Sequence, residues 1–481
     1  MPKITIDNQE IECRASITVL QAALEAGWDI PHYCYHQGLS IVASCRLCLM
    51  EMQMPQPKTG EMGWSPKLVP ACQTPVKEGM IVRFDSEKVR KNQQDCMEFF
   101  LLNHPLDCPV CDQAGECYLQ DYSFRFGRSE SRMVDDKTVN PKKDIGPRTL
   151  LYCDRCVMCK RCVRFTQEIT GTGELCVTQR GSRNEIDVFP GAPLDNPLQG
   201  NVVDLCPVGA LLDKDFLFKQ RVWNLESTDS VCPGCARGCA IQIDHCDNVV
   251  YRLRPRYNPN VNDWWICDEG RFGFKYIHDE KRVVAPVLRR GESKSGLNWE
   301  GIPEVLRFRF TEHVRRHGGA KVVALLSPFM ACEEAWLLIR FLREVAPEAT
   351  LALGPVPVEG EDQHFPVGAT GDAIRFTILK EKCPNRRGVE MLLEGAGGTT
   401  LTFEQFLEKT GAGDFNAAWI VGGYPKPWLE KKDLKALKGK FELLIVQDLF
   451  PNDLMSEATV VLPACSWAER EGSLVNADGL I

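Results

Sequence analysis

The chain has 481 residues, 44% hydrophobic and 25% charged, with a net charge of −8 and 23 cysteines. That length exceeds one ordinary core, so several domains of a soluble globular protein are expected. The negative balance argues against nonspecific nucleic-acid binding, and apolar runs such as Val322 to Leu326 are far too short to span a bilayer.

The start, MPKITIDNQE, lacks a basic segment followed by an apolar stretch, so no secretory signal is seen. Abundant cysteine in an unsecreted chain points to metal binding or catalysis rather than disulfides. Ile4, Ile6 and Ile11 flank Asp7-Asn8, a hairpin signal. A short helix is expected from about Thr18, with Val19, Leu20, Ala23 and Leu24 apolar and Gly27 placed to stop it. A long cysteine-bearing loop follows, and the strand-like Met80-Ile81-Val82-Arg83-Phe84 closes a β-grasp-like module.

This loop carries the first of four ligand sets, Cys34, Cys45, Cys48 and Cys72. Three cysteines on one loop and a fourth across the module suit a [2Fe–2S] cluster. Structural zinc is the alternative, although zinc sites usually pair two CxxC knuckles and only one is present.

From Ser86 to Asn103 the pattern is helical, with Val89, Cys96, Phe99 and Phe100 expected on one face and Pro105 ending it. The second set is His104, Cys108, Cys111 and Cys117. A histidine at a helix C-terminus usually only meets the last carbonyls; four residues before CPVC it reads as a ligand. Imidazole in place of one thiolate removes negative charge and raises a cluster's potential. A zinc site of three thiolates and one imidazole is the alternative. Residues 125–150 are polar and charged and read as a linker.

The third set is Cys156, Cys159, Cys162 and Cys206-Pro207. Two-cluster ferredoxins repeat C-x2-C-x2-C-x3-C-P, the fourth cysteine of each motif serving the other cluster. Here the complementary positions are Thr166, Asn196, Gln199 and Val202, none a thiolate, so one cluster is kept and one lost. Cys153 offers a competing register (153, 156, 159) that spacing leaves open. Arg155, Lys160, Arg161 and Arg164 interleave the ligands; positive charge there favours a reduced, more anionic cluster, an ordinary solvated basic helix face is the alternative, and both can hold at once.

The fourth set, Cys232, Cys235, Cys239 and Cys267, fits a further [4Fe–4S] site or zinc. Cys13, Cys96, Cys153, Cys176, Cys246, Cys332, Cys383 and Cys465 remain, expected to behave as small hydrophobes. After about Val283, strand-like runs (Lys321 to Leu326, Ala417 to Val421, Glu442 to Val446) alternate with helical ones (Glu333 to Val345, Pro427 to Leu437), suggesting a parallel α/β domain. No convincing G-x-G-x-x-G is seen; Gly395-Ala396-Gly397-Gly398 lacks the third glycine. No Walker A motif, catalytic triad or carboxylate pair can be argued, so the chain is expected to carry electrons rather than transform a substrate.

PHYCYHQGLSIVASCRLCLME, NHPLDCPVCDQAGECYLQD and CDRCVMCKRCVRFTQEI resemble the large iron–sulfur subunit of NADH–quinone oxidoreductase, respiratory complex I, known in bacteria as its G subunit. The resemblance is strong from Met1 to about Ile277 and looser beyond, where the chain is similar to molybdopterin oxidoreductases. It implies one [2Fe–2S] cluster on the first set and three [4Fe–4S] clusters on the others. It favours the register with Cys162, and it places the fourth cluster off the main electron path. It implies a multidomain α+β and α/β fold: a [2Fe–2S] ferredoxin-type unit at 1–78, a His-ligated [4Fe–4S] unit at 79–146 and a degenerate ferredoxin-like unit at 147–224. A CxxCxxxC [4Fe–4S] unit at 225–281 and a shortened molybdopterin-oxidoreductase-type domain at 282–481 complete it. That last domain looks too short to enclose a molybdopterin, so none is expected, and Cys383 is only weak support for a molybdenum formate dehydrogenase. A hydrogenase diaphorase subunit is a further alternative, and a zinc-stabilised scaffold without redox role another. The partners implied are the flavin- and NADH-binding subunit, a small [2Fe–2S] subunit and the quinone-side subunits. The implied place is the cytoplasmic face of a bacterial inner membrane, with no nucleic acid and with membrane contact only through the complex.

Overall fold

The computed structural model describes residues 1–55, 60–290, 293–296 and 298–481. Asp7 and Asn8 both take left-handed backbone (φ 47° and 69°), the geometry of a two-residue hairpin turn, between strands Lys3–Ile6 and Gln9–Glu12. Thr18 caps the helix Val19–Glu25 in a reciprocal capping box with Gln21, and Gly27 (φ 90°) follows its end. Strand Met80–Arg83 runs parallel to Lys3–Ile6 and antiparallel to Leu49–Pro55, so the first sheet extends past the boundary expected at residue 78. Leu20, Ala23, Ile4, Ile6, Met50 and Val82 form its core.

The helix expected from Ser86 spans Glu87–Leu101, capped by the Ser86 hydroxyl. Of the face expected, Val89 is buried and Cys96 and Phe100 pack partly buried against the core, with Gln93 and Met97 beside them, but Phe99 is 74% exposed. Spacing decides this, since a stripe through positions 89, 93, 97 and 100 repeats at the helical period and leaves position 99 off it. The stretch read as a linker is partly sheet: Lys142–Asp144 and Thr149–Tyr152 pair with each other, and Thr149–Tyr152 also pairs with Leu211–Asp213.

The last domain is built on an eight-stranded sheet. Its six parallel strands are Val322–Leu326, Thr350–Leu353, Thr400–Leu401, Ala417–Val421, Leu443–Asp448 and Val460–Pro463; numbered along the chain, they lie in the order 3-2-1-4-5-6. This is the doubly wound arrangement. Val322, Ala324 and Leu326 face helices Ile302–His317 and Cys332–Val345, while Val323 and Leu325 face helices Phe403–Ala412 and Lys431–Leu437. The helix expected from Pro427 begins only at Lys431. Its preceding indole, Trp428, instead donates to the buried Asp448 carboxylate at 2.8 Å.

Candidate metal centres

The first-set loop curls through left-handed backbone at Ala43 and Arg46, turning Cys45 and Cys48 inward. The Cys34 and Cys45 sulfurs are 3.5 Å apart, and the Tyr33 N–H donates to Cys45 Sγ at 3.4 Å. Cys72 reaches both Cys34 and Cys48. Hydrogen bonds from Cys45 and Cys72 hold the Cys34 thiol far below its ordinary value, and those two donors are pushed up in turn. All four cysteines are buried, which keeps water out, and their mutual hydrogen bonds set the thiols unequally, Cys34 and Cys48 lowered and Cys45 and Cys72 raised.

In the second set, Cys117 stands at the start of helix Tyr118–Phe126 and Cys108 begins a single tight turn, Cys108–Val110. Burial raises Cys111, and raises Cys117 to about 11; Cys108 and Cys111 add to the effect at Cys117. Burial first, then Arg155 and Lys137, push His104 down to about 4. Its ring is therefore the free base a metal requires. Arg155 acts on both His104 and Cys111. It is fixed by Asp107 at 2.6 Å and by the ring of Tyr152 at 4.0 Å. Gly209 closes the site: a Cβ there would stand 2.2 Å from Cys111 Sγ.

The third-set loop uses left-handed Met158 and Lys160 to present its sulfurs to one side, and the Met158 N–H donates to Cys156 Sγ at 3.4 Å. Cys156, Cys159, Cys162 and Cys206 line a single cavity, closed by Leu151, Val157, Ile186 and Leu211. Cys153 is absent from its lining and sits instead with Lys143, Glu185 and Asp187, its thiol raised by burial to about 11. At the positions without thiolate, Thr166 donates to the Val163 carbonyl at 3.0 Å and Asn196 to Glu174 at 2.9 Å. Val202 fills the core, and Gln199 is buried with its Oε1 unpartnered.

The fourth set gathers where strand Glu226–Val231 ends, strand Ala240–Cys246 begins and helix Asp268–Phe272 starts with Cys267 at its cap. The Gly234 and Gly270 N–H groups donate to Cys232 and Cys267 sulfurs at 3.4 and 3.3 Å. A Cβ at Gly270 would meet Cys232 Sγ at 2.7 Å. Burial raises all four thiols, Cys267 to about 12. Lys382, paired with Glu269 at 2.6 Å, brings the last domain's charge to Cys235 and Cys267.

The sets are physically joined. Cys34, Cys45, Cys117 and Cys159 belong to one apolar cluster, with Cys156 and Cys206 packed against it. The Tyr118 N–H, next to Cys117, donates to the carbonyl of Pro207, next to Cys206, at 3.0 Å. Cys232, Cys239 and Cys267 lie in a different cluster, which Cys162 shares. The ring of His36 stacks on Trp265 at 5.7 Å, and Trp265 packs on Phe165 at 5.1 Å, so the first-set loop rests on the fourth-set unit.

Among the described residues, the three-ligand group drawn within 4.8 Å is His313, His317 and Glu442, far from any cysteine set in sequence. Its groups already have partners: His313 bonds Asn416 at 2.8 Å, and His317 pairs with Glu442 at 3.1 Å.

At the carboxyl edge of the last sheet, between its first and fourth strands, lies a cavity of about 260 Å³ lined by Phe329, Glu334, Val421, Gly422, Gly423 and Arg470. Doubly wound sheets bind ligands at this switch point. Arg470 spans it, pairing with Glu334 and with the Phe329 carbonyl. The segment beyond continues across the domain: the Ser473 carbonyl accepts from Cys332, Val475 donates to Asn385 Oδ1 at 2.7 Å, and Ala477 donates to the Ala236 carbonyl at 2.8 Å. Sequence reading missed this strap, as it carries no periodic pattern.

Family models match along the whole length. They are a 2Fe-2S iron-sulfur cluster binding domain at residues 2–87, an NADH-ubiquinone oxidoreductase-G iron-sulfur binding region at 93–132 and the NADH-quinone oxidoreductase subunit 3, ferredoxin-like domain at 146–212. A molybdopterin oxidoreductase Fe4S4 domain follows at 225–279 and a molybdopterin oxidoreductase domain at 282–481. Fold and sites together thus define an iron–sulfur protein of the NADH-quinone oxidoreductase type.

The G subunit of the NADH-quinone oxidoreductase of Rickettsia bellii is 37% identical over 72% of this chain and 48% of its own length. The NADH-ubiquinone oxidoreductase 75 kDa subunit of Reclinomonas americana is 33% identical over 76% of this chain and 51% of its own. The chain is a homologue of the G subunit of NADH-quinone oxidoreductase, and spans about half the length of the curated relatives it matches. Among solved structures, a chain of an NAD+-reducing [NiFe]-hydrogenase in the H2-reduced state overlaps with a TM-score of 0.39 at 26% identity, covering 46% of this chain and 91% of that chain. Among the described residues no helix is long and apolar enough to cross a membrane.

Proposed function

We propose that the chain carries electrons in the peripheral arm of a proton-pumping NADH:quinone oxidoreductase. Cys34, Cys45, Cys48 and Cys72 hold a [2Fe–2S] cluster. Three [4Fe–4S] clusters are held by His104, Cys108, Cys111 and Cys117, by Cys156, Cys159, Cys162 and Cys206, and by Cys232, Cys235, Cys239 and Cys267. Clusters bound there would supply one-electron carriers between a flavin and a quinone on other subunits. The chain divides into five units as its sequence suggests, the first extended to include its closing strand.

The observation that carries this reading is the common apolar cluster joining Cys34, Cys45, Cys117 and Cys159, with Cys156 and Cys206 against it. Packing of this kind fixes the distances between sites and excludes water from between them. The fourth set packs in a second apolar cluster that takes in Cys162, with Cys156 and Cys206 against it, so it adjoins the third set; its place off the main route is what the family resemblance implies. The matched iron–sulfur domain models over residues 2–87, 93–132 and 225–279 support clusters over single zinc ions. The cavity lining supports the register with Cys162, leaving Cys153 outside the ligands. No molybdopterin is assigned to the last domain, whose switch-point crevice Arg470 bridges. The flavin- and NADH-binding subunit, the small [2Fe–2S] subunit and the quinone-side subunits are the partners, and membrane contact comes through them on the cytoplasmic face.

Metal and sulfide analysis of the full chain purified anaerobically tests the assignment, with about 14 irons expected from one two-iron and three four-iron clusters. Replacing Cys206 by Ala removes one [4Fe–4S] EPR signal, whereas Cys153→Ser leaves every signal. Zinc without iron, molybdenum in the preparation, or unchanged signals in the Cys206 variant would overturn it.

A further inference from the structure

The third-set helix Arg161–Glu168 buries two guanidinium groups, Arg161 at 5% and Arg164 at 7% exposure. Neither has a carboxylate within 4 Å among the described residues; the other deeply buried arginines, Arg155 and Arg271, pair with Asp107 and Asp204. Arg164 donates instead to the backbone carbonyls of Cys34 and Ser40. Arg161 donates to the Tyr35 carbonyl at 2.5 Å and the Leu205 carbonyl at 3.3 Å. Both hold the Cys34–Ser40 loop from a helix that carries Cys162, and Arg161 also holds the residue preceding Cys206. The charge of Arg164 is felt at Cys34 and Cys159, and that of Arg161 at Cys159.

An unpaired buried cation is strongly disfavoured, and two side by side more so. Carbonyl dipoles ease that cost without neutralising it. Glu168 acts on Arg164 from a distance, but its carboxylate is engaged by the Ser40 N–H and hydroxyl. The buried groups that could neutralise both cations are the ligand sulfurs of the first and third sets. Both sets become net anionic once four thiolates bind a cluster, and each added electron deepens the charge. The sequence signal, basic residues between ligands, was compatible with a solvated face; burial removes that reading for Arg161 and Arg164.

We propose that Arg161 and Arg164 are positioning residues forming one shared cationic bridge between the first and third sites: they fix the loop spacing and favour the reduced form of both carriers together. This rests on the cluster assignments above. One electron passes to either site from the reduced flavin of the partner subunit, which is oxidised by one electron; no bond forms or breaks at the carrier, and the fixed positive charge offsets the added negative charge.

The test is an EPR-monitored redox titration of the full chain, purified anaerobically, comparing wild type with Arg161→Gln, Arg164→Gln, Arg161→Lys and Arg164→Lys. Each glutamine variant is expected to lower the midpoint potentials of both the [2Fe–2S] signal and the third-site [4Fe–4S] signal. The shift expected is at least about tenfold in the reduced-to-oxidised ratio, about 59 mV for one electron. Iron content should stay at the wild-type value, and raised salt should leave the shift in place, because buried charges are screened little. The lysine variants, which keep the charge and lose the fork, should restore both potentials. A shift at one site only, no shift at either, or lysine potentials as low as those of glutamine would overturn the bridge. Should a glutamine variant lose its iron, the lysine variants decide: wild-type potentials support the bridge, lowered ones overturn it. Absence of both signals in the wild type would instead overturn the cluster assignments.

Discussion

Gly209 lies directly against Cys111, with no room between its Cα hydrogen and the sulfur for a methyl group. Overpacking a core commonly costs about 1–3 kcal/mol, and here the obstacle is a proposed ligand. Gly209→Ala is therefore expected to lower the unfolding midpoint modestly. It should also remove the second-site [4Fe–4S] signal, readable as a loss of about four irons per chain by metal analysis.

The stack of His36 on Trp265, itself on Phe165, supports the first-set loop from behind. Trp265 is buried, and truncating such a side chain to alanine costs about 3–5 kcal/mol. Trp265→Ala should destabilise the chain by that amount in denaturant titration. It should also broaden the [2Fe–2S] EPR spectrum, because the loop between Cys34 and Cys45 loses its backing.

Asp244 sits between Arg252 and Arg254, at 2.6 and 2.7 Å. Burial pushes its carboxyl up, but the two guanidinium groups and the Ser227 hydroxyl outweigh this and hold it below the ordinary 3.8. A lowered folded value means the unfolded state binds the proton first. The contribution to stability is thus present above about pH 4 and is lost as pH falls through the folded value. Asp244→Ala should cost about 3–5 kcal/mol at neutral pH, as one side of a buried ion pair is left alone. The variant should also show a flatter stability profile below pH 4, measured by unfolding at a series of pH values.

Asn385 is fully buried and joins two segments: its Nδ2 donates to the Met330 carbonyl at 2.7 Å and its Oδ1 accepts from Val475. Asn385→Ala strands both backbone groups, at about 1–3 kcal/mol each. Hydrogen exchange should rise across residues 473–477 while the three-stranded sheet holding Asp244 stays protected.

Much of this molecule could be read from local chemistry. Asp7-Asn8, Thr18 and Gly27 each demand one backbone geometry, and the structure adopts it. The α/β alternation after Val283 predicted the parallel sheet because its central strands, Val322–Leu326, Ala417–Val421 and Leu443–Asp448, are almost wholly buried and read as continuous apolar runs. Phe99 was misplaced because a short apolar list cannot fix a helix face when Gln93 shares it. The helix start at Lys431 was hidden because Trp428 is held by Asp448, a partner distant in sequence. Spacing grouped the cysteines into sets, yet could not choose between Cys153 and Cys162; the cavity lined by Cys162 and not Cys153 supports the register proposed. Burial of Arg161 and Arg164 was invisible, since charge alone argues for solvent.

The hydrogen bond from Tyr118 to Pro207 fastens the residue after one ligand to the residue after another, in different sets. The two ligand-bearing segments therefore share one backbone joint, and local opening at either is expected to raise amide exchange on both sides of it.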